Sequence, residues 1–448
     1  MTAADPLDLL DTLITQARKA GADAADALLV DSIALSHRQR LGRTEQLERS
    51  ETSDIGLRVF IGQRMAIVSS ADRKPEALVD LVDRAIAMAK VVPEDPYCGL
   101  ADPSQLATSW NVTELELADP VEPTPQDLID RATACEEAAL AVPGVSNSEG
   151  AEASWSQGLV YLAASNGFRG SYAGTGHSIS ASVIAGEATG METDYDYSSA
   201  VFAEDLRDPA DIGRTAGERT VRRLGATKLT TGKRAVVFDP RVSSSLIRHF
   251  IGAISGPSIA RGTSFLKDQM GETVFGNTVT ILDDPSIQRG HRSKPFDGEG
   301  LPTARKALID KGQLTTWLTD LRSARQLRLS STGNASRGTS SPPSPSPTNL
   351  YMTQGARTPD ALIGEIEDGL YITQMMGMGV NGVTGDYSRG ATGFRIKAGE
   401  LAEPINEVTI AGNLKDMFAR LEPANDLVFR TGIDAPTIRI DGMTIAGT

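Results

Sequence analysis

Histidine and cysteine are scarce in this 448-residue chain, with four of the first and two of the second. The cysteines, Cys98 in a proline-flanked loop and Cys135 in a predicted helix, support neither a disulfide framework nor a site built from several thiolates. A zinc-binding helix needs two imidazoles about one turn apart with a glutamate between them as base. No pair among His37, His177, His249 and His291 meets that spacing. No apolar run approaches the ~18 residues that would suggest a membrane span. A block of lysines and arginines is missing too, and the net charge of −14 with a pI near 4.9 repels phosphate backbones and anionic lipid. The opening MTAADPLDLLDTLITQARKAG is acidic and amphipathic, unlike a signal peptide with its basic start and unbroken apolar core. These absences predict a cytoplasmic protein that binds neither nucleic acid nor membrane directly.

What is present is a mixture of helices and hairpin-like strands. Leu7, Leu10, Leu13, Ile14 and Ala17 fall at helical spacing within Asp5–Ala20, behind an Asp-Pro start and before Gly21. Further helices are predicted over Pro75–Val91, Gln126–Ala141 and Asp208–Leu224, with a proline-rich linker from Pro93 to Pro125. Strands are predicted over Ala25–Leu35, over Asp54–Ser69 with a turn at Ile61–Arg64, and through Ser146–Ala185, where Asn166-Gly167 is a strong hairpin signal. After Thr227–Asp239 come short strand candidates at Thr278–Leu282, Gln313–Leu318, Gly369–Gln374, Gly393–Ile396, Glu407–Ile410 and Thr437–Ile440. The fold class is therefore α+β: an N-terminal helix-and-antiparallel-sheet domain over residues 1–225, then a glycine-rich, mostly antiparallel curved-sheet domain over 226–448. Gly338–Asn349, GTSSPPSPSPTN, carries four prolines that exclude helix or central strand, leaving an ordered polyproline-like loop or a mobile flap.

The chemistry is harder to place. His249 sits among apolar residues in RHFIGA and reads as a packing or interface histidine. Ser255, in GAISG, lacks the spacing of a nucleophile elbow. Gly377–Gly382 formally matches a dinucleotide fingerprint, but turn and strand follow where a helix N-terminus would be needed, so no cofactor is expected. Asp194 and Asp196, alternating with Tyr195 and Tyr197, read as a solvated loop. The densest run of small and charged residues, Gly385–Phe394 (GDYSRGATGF), reads as a built surface.

Four blocks in order, GAISGPSIARGTSFL from Gly252, PFDGEGLPTARKALIDKGQLTTWL from Pro295, GDYSRGATGF from Gly385 and EVTIAGNLKDMF from Glu407, resemble the TldD/PmbA family, once described as modulators of DNA gyrase. The resemblance covers nearly all of the second half and is looser before it. It implies two sister subunits: TldD, in which an HExxxH segment and a later cysteine bind zinc, and TldE or PmbA, which lacks that site. Together they form a heterodimeric metallopeptidase that digests extended or unfolded peptides and matures microcin-type precursors. Here Ser243–Gly256 contains no His-Glu pair and no cysteine follows Cys135, so the chain is similar to the TldE/PmbA side. It is expected to hold no metal, cofactor or catalytic residue, with zinc in a TldD-like partner; a homodimer of the isolated chain stays open.

The resemblance also implies cleft or subunit-contact residues: His249, Ser255, Thr348, Asn349, Tyr351, Asp386, Tyr387, Arg389 and Asn413. The Asn349 amide is expected to bond an extended substrate's backbone, and Asp386 with Arg389 to form a buried polar pair or a tie between strands. Two other roles stay open, an autonomous homodimeric peptidase and a non-proteolytic regulator of gyrase or a toxin target.

Overall fold

In the computed structural model, which describes residues 5–447, the first element is α1 (Pro6–Lys19). The first four residues of the acidic opening lie outside the described residues. The Asp5 carboxylate caps α1 by accepting from the Leu7 amide, and the stripe Leu10, Leu13, Ile14, Ala17 is buried. Strands β1 (Ala24–Arg40), β2 (Arg43–Ile61) and β3 (Arg64–Ser70) form a meander. After α2 (Pro75–Val91), the short α3 (Val112–Leu115) and α4 (Pro125–Leu140) come β4 (Val145–Ala164), β5 (Arg169–Ala185), β6 (Glu192–Ala200) and α5 (Pro209–Arg222). The six strands make one antiparallel sheet in the order β3-β2-β1-β4-β5-β6, so β6 is an edge.

Two helix pairs cover this sheet. Residues of α1 and α2 pack on Leu29, Ile55 and Leu57, while α4 and α5 enclose Trp155, Ile179 and Val183. At the α4–α5 contact, a Cβ placed on Gly213 would lie 1.9 Å from the Cys135 carbonyl oxygen, so glycine is what lets the two helices approach. The first two strands run further than the apolar pattern predicts. In β2 residues 43–49 are exposed and strand pairing rather than alternating burial defines them, whereas the outer half of β1 alternates, with Leu35, His37 and Gln39 buried and Arg38 and Arg40 exposed.

The second half begins with β7 (Gly232–Phe238), α6 (Pro240–Ile254) and α7 (Gly256–Ala260). It continues through β8 (Ile281–Asp284), β9 (Lys306–Asp310), β10 (Gln313–Leu314), α8 (Leu321–Leu327), β11 (Ala335–Ser336), β12 (Ser344–Pro345), β13 (Asn349–Met352) and α9 (Pro359–Ile363). The chain ends with β14 (Asp368–Val380), β15 (Asp386–Lys397), β16 (Glu400–Asn413), α10 (Leu414–Arg420), β17 (Glu422–Pro423), β18 (Ile433–Asp434) and β19 (Ile438–Ala446). Strands β16-β15-β14-β7-β19 are neighbours in that order, and β16 also pairs with β19 through Thr409–Ala411, which closes the ring. Only the β7–β14 pair in this ring is parallel. Curvature expected from the glycine content is thus realised as a barrel. A second sheet, β10-β9-β8-β13-β18, packs into the same apolar core as α6 and the barrel.

The proline-rich segment is an ordered loop. Thr348 donates from its amide and its hydroxyl to Asp283 Oδ1 at 2.6 and 2.8 Å, and Arg292 Nη2 donates to the Pro347 carbonyl at 2.9 Å. The base of the loop meets the N-terminal sheet, where a Cβ on Gly56 would lie 2.0 Å from the Thr339 carbonyl oxygen.

Candidate functional site

Helix α6 stands where a zinc-binding helix would be sought. Asp239 caps it through the Arg241 amide at 2.9 Å, and Pro240 occupies its first turn. Leu246, Ile247, Phe250, Ala253 and Ile254 turn into the core, which leaves Arg248 exposed and His249 half-buried on the outer side. The His249 ring meets the Tyr387 ring edge to face, with centroids 5.9 Å apart. Burial lowers the His249 pKa and the Arg389 guanidinium lowers it further, so the imidazole is neutral at pH 7. Its Nε2 is buried without a hydrogen-bond partner. Tyr387 is 2% exposed and donates its hydroxyl to Met375 Sδ at 3.2 Å. The packing part of the His249 expectation holds, but one of its nitrogens is left unpaired.

The run GDYSRGATGF is β15, a strand inside the barrel. Asp386 and Arg389 do not form a buried pair: three residues apart on one strand, they point to opposite faces. Asp386 is exposed and accepts from Thr384 Oγ1 at 2.7 Å and Asn413 Nδ2 at 3.1 Å, whereas Arg389 Nε donates to the Met376 carbonyl at 3.3 Å. Asn413 also caps α10 by accepting from the Lys415 amide. Ser255 is the residue before α7 and lies in a backbone bridge with Leu318.

The other candidates belong to the second sheet. Asn349 is 2% exposed, and its amide is spent internally: Nδ2 donates to the Asp284 carbonyl at 2.8 Å and to Ser293 Oγ at 2.7 Å, while Oδ1 accepts from the Arg292 amide. It is therefore a structural tie rather than a group free to bond a substrate backbone. Thr348 is equally committed to Asp283, and Tyr351 is half-buried, its ring edge-on to Phe429 at 5.0 Å. The structure brings His249, Tyr387 and Arg389 together, joins Asp386 to Asn413, and leaves Thr348, Asn349 and Tyr351 on a different sheet.

Asp194 and Asp196 correct the sequence reading more sharply. They lie in β6, 3% and 5% exposed, rather than in a solvated loop. Asp194 accepts from Arg241 Nη1 at 2.8 Å with Arg223 Nη1 at 3.7 Å, and Asp196 is held by Arg207 and Arg219 at 2.7 and 2.8 Å. Arg241 comes from the first turn of α6, so this network joins the start of that helix to the edge of the N-terminal sheet. The available signal was the period-two alternation Asp-Tyr-Asp-Tyr, which puts both carboxylates on one face of the strand.

The glycine fingerprint is a hairpin: β14 continues to Val380, a turn follows, and β15 returns. Among the described residues no group of three or more histidines, cysteines, aspartates and glutamates is placed to hold a metal ion. His249 offers one nitrogen beside a cationic guanidinium, a donor set that does not fit zinc.

Residues 25–89, 118–224 and 231–447 match, in order, domain 1, the central domain and the C-terminal domain of the PmbA/TldA metallopeptidases. The chain belongs to this PmbA/TldA family. It is 35% identical over 427 residues to Metalloprotease PmbA of Escherichia coli O157:H7, covering 95% of this chain and 92% of that protein. The Metalloprotease PmbA homolog of Haemophilus influenzae is 36% identical over 433 residues, 96% of this chain and 94% of that one. A solved structure from Bacteroides thetaiotaomicron, provisionally named a modulator of DNA gyrase, superposes with a TM-score of 0.92 at 28% identity, covering all of both chains. TldE from Thermococcus kodakarensis shares the fold, with a TM-score of 0.87 at 20% identity over 98% of this chain and all of that one. The first two matched PmbA/TldA segments supply the strands of the single N-terminal sheet, and the third spans barrel and second sheet.

Proposed function

We propose that this PmbA/TldA chain is the metal-free, TldE/PmbA-type subunit of a heterodimeric zinc metallopeptidase that degrades unfolded or extended peptides and processes microcin-type precursors. One observation carries the reading: on α6 the outer face presents the imidazole of His249 next to Arg389, and among the described residues no group of three or more histidines, cysteines, aspartates and glutamates is placed to hold a metal ion. A metallopeptidase centre needs three protein ligands and a base that activates the metal-bound water. The relatives' name, metalloprotease, then describes an activity to which this chain contributes shape and contacts, while a TldD-like partner contributes zinc. Enclosing that centre between two chains excludes water and strengthens the electrostatic stabilisation of the reaction.

The test is co-expression with a TldD-like protein, followed by size-exclusion chromatography and digestion of an unfolded protein. A stoichiometric complex that cleaves, with each chain alone inactive, is the expected result. Equal activity of the partner alone overturns the role. Cleavage by the isolated chain favours an autonomous homodimeric peptidase. A gyrase complex that persists without the partner favours the non-proteolytic role suggested by the name of the Bacteroides protein.

A further inference from the structure

Three cavities adjoin along the seam where β5 and β6 of the N-terminal sheet face the C-terminal half. The first, about 410 Å3, lies beside the edge strand β6 and is lined by Arg207, Arg219, Arg430, Tyr197 and Phe429. It shares Ser199, Asp205 and Phe429 with a second cavity of about 260 Å3. That one shares Val201, Gly290 and His291 with a third of about 300 Å3, whose wall includes Tyr172, Arg292 and Lys294. Side by side, the three make a furrow of adjoining hollows whose combined room suits a chain of several residues.

Charge along this furrow is unevenly matched. Asp196 is the main carboxylate of the first cavity, and both of its oxygens are occupied by one terminal nitrogen each of Arg207 and Arg219. Asp205 is turned to Arg289 at 3.0 Å. Arg430 engages its neighbours through its backbone, accepting from Ser199 Oγ and donating to Asp434, and no described carboxylate pairs with its guanidinium. At the far end no described carboxylate pairs with Lys294 Nζ either. Burial and the neighbouring Arg292 hold the pKa of that ammonium below its usual value, which Asp297 and Asp283 offset only in part. A furrow with an unmatched cation at each end, in a protein whose net charge of −14 repels long polyanions, selects for isolated carboxylates on an otherwise neutral ligand.

We propose that this furrow is a peptide-binding site that recognises carboxylates, with Arg430 and Lys294 each taking one from an extended peptide, either an acidic side chain or the C-terminal carboxylate. Tyr197 and Phe429 supply apolar wall beside Arg430. The proposal deepens the subunit reading, because it gives the metal-free chain a role in choosing substrate.

The test uses the full chain without a catalytic partner. The probe is a fluorescein-labelled decapeptide of glycine, alanine and serine with one central glutamate and a free C-terminus, followed by fluorescence anisotropy. Three companions replace the glutamate by glutamine, amidate the C-terminus, or do both. Removing both carboxylates is expected to weaken binding about tenfold or more, the size of one lost charge-assisted contact. A loss confined to the amidated peptide assigns the C-terminal carboxylate, and a loss confined to the glutamine peptide assigns the side chain. Arg430→Ala and Lys294→Met are each expected to lower the preference for charged over neutral peptide while Tm stays unchanged. Should either variant fail to fold, the comparison of four peptides on the unaltered chain still decides. Equal binding of all four, no binding of any, or a preference untouched by both folded variants overturns the proposal. Failure of the mixed subunits to cleave an unfolded protein would count against the subunit reading alone, since binding here is measured without cleavage.

Discussion

Arg337, in the loop between β11 and β12, donates through Nη1 to Oδ1 of Asp26 in β1 at 2.7 Å, with both side chains buried. Arg58 of β2 reaches the same carboxylate, so one aspartate joins two strands of the N-terminal sheet to a loop of the C-terminal half. Burial acts to raise the Asp26 pKa, but the two guanidinium groups outweigh it and the net shift is downward.

Removing that carboxylate strands two buried guanidinium groups. Asp26→Ala is therefore expected to cost roughly 3–5 kcal/mol, and the double variant with Arg337→Met less than the sum of the single ones. Urea denaturation of the four proteins checks both statements. A depressed aspartate contributes stability that is present above its unfolded pKa of about 3.9 and is lost as pH falls through the lower folded value. The wild-type stability curve should thus drop more steeply on the acid side than that of Asp26→Asn.

Two glycines separate sterics from helix propensity. Gly213→Ala puts a methyl 1.9 Å from the Cys135 carbonyl, a backbone atom that cannot swing aside, whereas nothing lies within 4 Å of a Cβ on exposed Gly252 of α6. Alanine gains up to about 1 kcal/mol in helix propensity at either position. Gly252→Ala is expected to raise Tm, while overpacking makes Gly213→Ala destabilising by roughly 1–3 kcal/mol. Calorimetry of both variants decides whether the close α4–α5 approach has the stated cause.

Much of the fold could be read from the sequence because its helices carry their own boundaries. Asp5, Thr124 and Asp208 cap α1, α4 and α5, each followed by proline, and the buried stripes have the expected period. The hairpin turns at Gly62 and Asn166-Gly167 fell where their dipeptides placed them. Barrel closure was not legible, since β16 meets β19 through only three residue pairs and no local pattern announces a ring. The candidate site was read least well. Charged and amide groups such as Asn349, Asp386 and Arg389 look available in a sequence, but folding spends Asn349 on Asp284 and Ser293 and sends the other two to opposite faces. Conversely, Asp194 and Asp196 looked solvated because their arginine partners lie between 11 and 47 residues away.

Glu299 predicts an opposite pH response to Asp26. Burial pushes its pKa up to about 8, partly countered by Arg58, while its Oε2 accepts from the Leu321 amide at 2.8 Å. A carboxyl group with a raised folded pKa contributes stability that is full below its unfolded value of about 4.3 and is lost as pH rises through about 8. Glu299→Gln keeps an acceptor for Leu321 and removes the titration. Its stability should therefore change less than wild type between pH 5 and pH 9, and should exceed it at the alkaline end. A wild-type curve no steeper than the variant's would show that the carboxyl titrates normally.

Metal removal separates the two subunits of the proposed peptidase. Zinc bound at a structural or catalytic site stabilises the folded chain by an amount that grows with the logarithm of free zinc over Kd, so a chain that holds it loses Tm on chelation. His249 of this chain is a single, neutral imidazole beside Arg389, and that arrangement provides no such linkage. The isolated chain is expected to contain well under one zinc per molecule by elemental analysis and to keep its Tm when a chelator is added. The complex with a TldD-like partner is expected to lose peptidase activity under the same treatment and regain it with added zinc. Stoichiometric zinc in the isolated chain, or a Tm that falls with chelator, would mean that His249 finds further ligands, and the assignment of this chain as the metal-free subunit would have to be abandoned.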